Sequence, residues 1–157
     1  MSVQTPAHPA FVQMVQASFA AQGLMTTLGA SLTAVEPGTI EIEVPFHKGL
    51  SQQKGFFHGG VVGAIADSAG GYAALTLMAQ GFEVVTVEYK INFLRPALGD
   101  RLLARGSVLR HGQRLTIAEA KVTCRNQGKE RLVATSLQTL APVPPETTAV
   151  DPRTTTQ

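Results

Sequence analysis

The sequence predicts an α+β fold in which an antiparallel sheet surrounds one long central helix. Three observations predict it. The stretch from Gly59 to about Ala79 carries a single charge, Asp67, and is dominated by Gly and Ala. A helix that is apolar nearly all round is normally buried. After Gly81 the apolar residues switch to period two, with Val85, Val87, Tyr89, Ile91 and Phe93 on one face of a strand. The remaining strand-like runs are separated by Gly-containing turns, the pattern of hairpins. Strands with one central helix define an α+β arrangement.

The elements follow in order. From Pro9 to about Gln22, Phe11, Val12, Val15, Phe19 and Ala20 recur at helical spacing, and Gly23 serves as a stop. Two short strands follow, roughly Leu28–Val35 and Ile40–Pro45. They are joined by Glu36-Pro37-Gly38-Thr39, which has type II turn chemistry. Residues 46–57 read as a loop. The central helix comes next, and its glycines cost about 1 kcal/mol each against alanine, so a packing or chemical reason is expected. After the strand at 85–93, three more are expected near 101–110, 114–126 and 130–140. Their turns are His111-Gly112-Gln113 and Asn126-Gln127-Gly128. Residues 1–141 form one domain on this reading. The tail 142–157, rich in Pro and Thr, lacks periodicity and is expected to be disordered.

Composition narrows the function. A chain of 157 residues can bury one real core. No run of 18 apolar residues would span a membrane, and no signal pattern opens the chain. The single cysteine, Cys124, fits a reducing, cytoplasmic compartment. Four dispersed histidines and the carboxylates show no metal-ligand spacing, so no metal is expected. The first 47 residues contain no Lys or Arg, whereas Lys90 to Arg131 holds ten against three acids. Such a surface favours an anionic partner or resists edge aggregation. Nucleic acid is disfavoured, because the cations alternate with apolar residues and no aromatic platform accompanies them.

His58-Gly59-Gly60 falls where a loop becomes a helix. Unpaired N–H groups and the positive end of the dipole point outward there. Without side chains on Gly59 and Gly60, a ligand can approach those N–H groups, a natural place to hold a carbonyl oxygen becoming an oxyanion. Asp67 is costly in an apolar helix unless solvated, hydrogen-bonded or functional. It can restart a broken helix as a cap, attack a thioester carbonyl or activate water. Eight residues separate it from Gly59, roughly 12 Å of helix rise. One carbonyl cannot touch both in one chain. If both serve one substrate, a symmetric dimer must supply Asp67 from one copy and Gly59 from the other.

The segment Gln52 to Pro96 resembles the PaaI-type branch of the hot-dog acyl-CoA thioesterases. The matching features are Gln-Gln-Lys-Gly-Phe-Phe-His-Gly-Gly, Asp67 nine residues after His58, and TVEYKINFLRPA from Thr86 to Ala97. The order of elements matches over about residues 10–141. The resemblance implies hydrolysis of an aromatic (phenylacetyl-type) or medium-chain acyl-CoA. Asp67 would be nucleophile or general base, and the Gly59 N–H would polarise the carbonyl. His58 would orient the helix start. Gln52, with Gln53 as the alternative, would sit near the carbonyl or the water. Thr86 would help hold the water. Simple alternation sets Thr86 on the polar face with Glu88 and Lys90, so this role requires a bulge or an interface. Arg95, Arg110, Arg114 and Arg125 are candidates for the phosphates of coenzyme A, which enters as part of the substrate with no separate cofactor. Gly60, Phe56, Phe57, Val61, Val62, Ile65 and Tyr72 are candidates to contact the acyl-CoA. A homodimer follows from shared sites, and a dimer of dimers from family habit. A hot-dog hydratase or dehydratase and a non-enzymatic acyl-CoA sensor are the competing readings.

Overall fold

A computed structural model describes residues 4–145. Helix α1 (Phe11–Ala21) buries Val15 and Phe19. Gly23 is not the stop that the sequence predicts. The break comes at Gln22, which is extended, and Gly23 opens a second helix, α2 (Gly23–Leu28). The stop is Gly29, at φ +65°, whose N–H bonds the carbonyls of Met25 and Thr26. The first strand, β1 (Ser31–Glu36), therefore starts three residues later than expected. It turns through Gly38, at φ +75°, into β2 (Thr39–Pro45), whose Ile40, Ile42 and Val44 are buried.

The loop that follows holds a single 3-10 turn, Lys48–Leu50, and a bridge between Ser51 and Phe57. Helix α3 (Gly59–Leu75) then crosses the core. It ends at Thr76, not near Ala79. The Thr76 hydroxyl bonds the Ala73 carbonyl, which another helical turn would use, and accepts the Gly38 N–H from the β1–β2 turn. Strands β3 (Glu83–Phe93), β4 (Arg101–His111), β5 (Thr116–Asn126) and β6 (Lys129–Val143) complete the fold. The β5–β6 hairpin turns through Gln127 and Gly128, both at positive φ. β6 continues two residues past the predicted domain end. Of the predicted tail, residues 146–157 lie outside the described residues.

All six strands form one antiparallel sheet, ordered β1-β2-β4-β5-β6-β3. The sheet wraps α3, which touches β2 through β6. Small residues on both sides explain the close seat. Gly106, Ala118 and Ala120 on the sheet are buried, as are Ala66, Ala69 and Gly70 on the helix. A Cβ on Gly106 would stand 2.2 Å from the Ala69 carbonyl oxygen, so backbone meets backbone there.

The face of β3 differs from strict alternation. Thr86 pairs with Leu140 but Glu88 pairs with Thr139, so Val87 is an extra residue in a bulge. The bulge flips the pattern. Thr86, Tyr89, Ile91 and Phe93 lie opposite Leu140, Gln138, Ser136 and Ala134, all buried on the helix side. Val85 and Val87, predicted inward, are exposed. The reason is local: an extra residue shifts every side chain after it to the other face.

Candidate active site

His58 caps α3. Its Nδ1 accepts the Gly60 N–H at 2.9 Å. The bond fixes the ring against the first turn of the helix. It also corrects the reading of Gly60, whose N–H is engaged by the cap and not open to a ligand. None of the described residues accepts the Gly59 N–H, which sits exposed at the first turn. The Phe93 ring lies over Gly59, 3.5 Å from where a Cβ would stand. A methyl group there would meet the ring at ordinary van der Waals distance.

Gly59 lines a cleft of about 430 Å³ with Gln52, Phe57, Val62, Phe93 and Arg95. Gln52 Oε1 accepts the Lys54 N–H at 2.7 Å, which leaves the amide NH2 free to donate. Gln53 does not line the cleft. Phe57 is buried, edge-on to Phe46 with centroids 5.0 Å apart. Val62 forms the wall instead of Val61, which is half-buried against the core, because the helix turns Val61 away from the cleft. Ile65 is buried core and reaches no cleft.

Asp67 stands one turn beyond Gly63 on the β3 side of α3. The Thr86 hydroxyl donates to Asp67 Oδ1 at 2.8 Å. The Val87 bulge makes this contact possible, since plain alternation would point Thr86 outward. Asp67 and Thr86 line a second cleft, of about 330 Å³, with Ser18, Gln22, Ser68 and Tyr72. Burial pushes the Tyr72 phenol above its ordinary pKa, so it remains protonated at neutral pH. Gly59 and Asp67 thus line different clefts within one chain.

The candidate cations lie in different places. Arg95 lines the Gly59 cleft and bonds the Leu132 carbonyl at 3.0 Å. Arg110 and Arg114 are not there. They belong to the β4–β5 hairpin, whose Thr116 aligns through Leu140 with Thr86, the opposite end of β3 from Phe93. Arg125 is paired with Glu130 at 2.6 Å, and that bond raises its pKa further. Arg101 and Arg105 likewise pair with Glu43 and Glu41. Sequence reasoning missed Lys129 and Arg131. With Arg95 they line a third cleft, of about 470 Å³, which adjoins the first through Phe56, Arg95, Pro96 and Val133. Only the fold brings 95 beside 129–131, because β6 crosses the end of β3. Among the described residues, no cluster of three His, Cys, Asp or Glu could hold a metal, and no helix is long and apolar enough to cross a membrane.

Residues 54–130 match the thioesterase superfamily. A thioesterase family protein from Silicibacter pomeroyi superposes with a TM-score of 0.84 at 44% identity, over 85% of this chain and 98% of that one. A Halobacterium salinarum protein whose name proposes an esterase is 32% identical over 114 residues, 69% of this chain and 75% of the relative. This chain belongs to the thioesterase superfamily. Its architecture is the hot-dog fold, shared with the Escherichia coli PaaI protein from the phenylacetic acid degradation operon. That protein superposes with a TM-score of 0.75 at 22% identity, over 85% of this chain and 93% of its own. Membership and the esterase-named relatives support a hydrolase.

Proposed function

We propose that this chain is an acyl-CoA thioesterase. It cleaves an aromatic (phenylacetyl-type) or medium-chain acyl-CoA into the free acid and CoA, at two sites shared across a homodimer. The observation that carries the reading is the Asp67–Thr86 pair, set by the bulge into a cleft separate from the open Gly59 N–H.

The thioester oxygen is held by the Gly59 N–H at the positive end of α3, with the Gln52 amide beside it. The partner's Asp67 serves as general base. The Thr86 hydroxyl donates its hydrogen bond to that carboxylate, so its lone pairs are free to accept from a water. Asp67 takes a proton from the water, the oxygen adds to the acyl carbon, and the C–S bond breaks. Asp67 returns that proton to the departing sulfur, which leaves as the CoA thiol. Solvent ¹⁸O recovered in the Asp67 carboxylate after turnover would instead mark an anhydride route and overturn the base role. Arg95, Lys129 and Arg131 line the adjoining cleft and suit the phosphates of coenzyme A. Cys124, a buried free thiol, fits a reducing, cytoplasmic setting.

Strand β3 supplies the dimer contact. It is an 11-residue edge strand with Val85, Val87, Tyr89 and Phe93 exposed, a surface that invites a second strand. The shared site also selects the register. With Lys90 on the two-fold axis, Tyr89 lies opposite the partner's Ile91 and Thr86 opposite the partner's Phe93, the bulge absorbing Val87. Asp67 then meets the partner's Gly59. Two such dimers can join as a tetramer.

The test is thiol release across a panel of acyl-CoAs with wild type and Asp67→Asn. No release above the variant's level throughout the panel refutes the reading. Mixing Asp67→Ala chains with Gly59→Val chains should restore about one working site per mixed dimer. No rescue in verified mixed dimers refutes shared sites.

A further inference from the structure

One group in the core has no part in the chemistry above. Gln138, on β6, is fully buried beneath α3. Its Nε2 donates to the Ala66 carbonyl at 2.7 Å and reaches Ser136 Oγ at 3.2 Å. Its Oε1 is buried with no hydrogen-bond partner among the described residues. A leucine would fill this volume without a polar group to satisfy, so space-filling does not account for an amide here.

What Gln138 holds is the peptide that leads into Asp67. Gly70 makes room for it, since a Cβ at Gly70 would fall 1.9 Å from Gln138 Oε1. The amide head therefore fits into the notch that Gly70 leaves in the helix surface. A helix needs such a device when its own surface lacks knobs. The sheet-facing side of α3 is built largely of Gly and Ala, which interlock poorly and specify rotation about the axis weakly. A directional bond to one helix carbonyl fixes that rotation. β6 is also the strand that positions Thr86, through the pairing of Thr86 with Leu140 two residues along from Gln138. One strand thus references both partners of the Asp67–Thr86 hydrogen bond.

We propose that Gln138 is a positioning residue: its amide, seated in the Gly70 notch, sets the rotation of α3 at which Asp67 meets Thr86. The inference rests on the thioesterase reading only for its kinetic readout. A crystal structure of Gln138→Leu should show the 2.8 Å Thr86–Asp67 hydrogen bond broken while the sheet is unchanged. In the assay kcat should fall about tenfold, the loss expected when that hydrogen bond is removed, with KM within about twofold. The loss should shrink to about twofold when Gln138→Leu is made in a Thr86→Val background, because the hydrogen bond it protects is already absent there. Should Gln138→Leu fail to fold, the double variant Gln138→Ala/Gly70→Ala places a methyl group in the vacated notch and is assayed the same way. A folded variant with the hydrogen bond intact and kcat within twofold of wild type overturns the proposal, as does full additivity with Thr86→Val. If the wild type releases no thiol, the thioesterase reading fails, and the crystallographic Thr86–Asp67 distance alone decides the role of Gln138.

Discussion

Thr86→Val is the sharpest single perturbation of the site. Valine keeps the shape and β-branching that β3 prefers and removes one hydroxyl. That hydroxyl donates to Asp67 Oδ1 at 2.8 Å. A hydrogen bond to a charged group is worth about 1.5–3 kcal/mol, and Thr86 is exposed in the single chain, which favours the lower end. About 1.5 kcal/mol is roughly a tenfold loss in kcat. Tm should change little, because the side chain is not part of the core. KM should hold, since the Gly59 cleft is untouched. Thr86→Ser retains the hydroxyl and should recover most of the rate. The assay is initial-rate thiol release under saturating acyl-CoA, with a thermal melt on each variant. A Thr86→Val enzyme within twofold of wild-type kcat would refute the view that the bulge exists to serve Asp67.

Three other outcomes are expected. Lys129→Ala with Arg131→Ala should raise KM for an acyl-CoA about tenfold yet leave the matching acyl-pantetheine, which lacks the nucleotide phosphates, unaffected; an equal effect on both would remove these cations from phosphate binding. Gly106→Ala should cost about 3 kcal/mol, seen in the urea midpoint, because the added methyl would stand 2.2 Å from the Ala69 carbonyl oxygen; an unchanged midpoint would contradict the close helix seat. Burial pushes the Cys124 thiol up to about 11, above an ordinary cysteine, so the folded state holds its proton where the unfolded chain has lost it. Stability should therefore fall as pH rises from about 9 towards 11, and Cys124→Ala should flatten that slope in urea melts at pH 8 and 10.

Much of this was legible because it depends on local chemistry. The Pro37-Gly38 turn, the helix after His58-Gly59-Gly60 with its single charge and the alternation of β4 to β6 are each dictated by neighbouring residues. The features that escaped depend on distant partners. Nothing in the residues around Val87 marks a bulge; it is defined by how β3 registers against β6. Gly60 reads as an open N–H until the His58 ring is seen to turn back onto it. Arg125 reads as a free cation until the hairpin brings Glu130 alongside. Lys129 and Arg131 join Arg95 only because the last strand returns beside the third. Spacing along one helix was the exception among long-range inferences. It needed only the rise per residue to assign Gly59 and Asp67 to separate clefts.

The close seat of α3 on Gly106, Ala118 and Ala120 also limits how this protein can diverge. Backbone lies against backbone at Gly106, so few substitutions there leave the helix in place. Neither end of the reaction geometry can be retuned by remodelling the floor beneath it. New substrate preferences must arise on the opposite side of the helix, among α1, the loop before His58 and the segment after Phe93. Those parts carry fewer core residues than the sheet and α3. The molecule thus separates a frozen interior, which holds the chemistry still, from a replaceable rim where selectivity is free to drift.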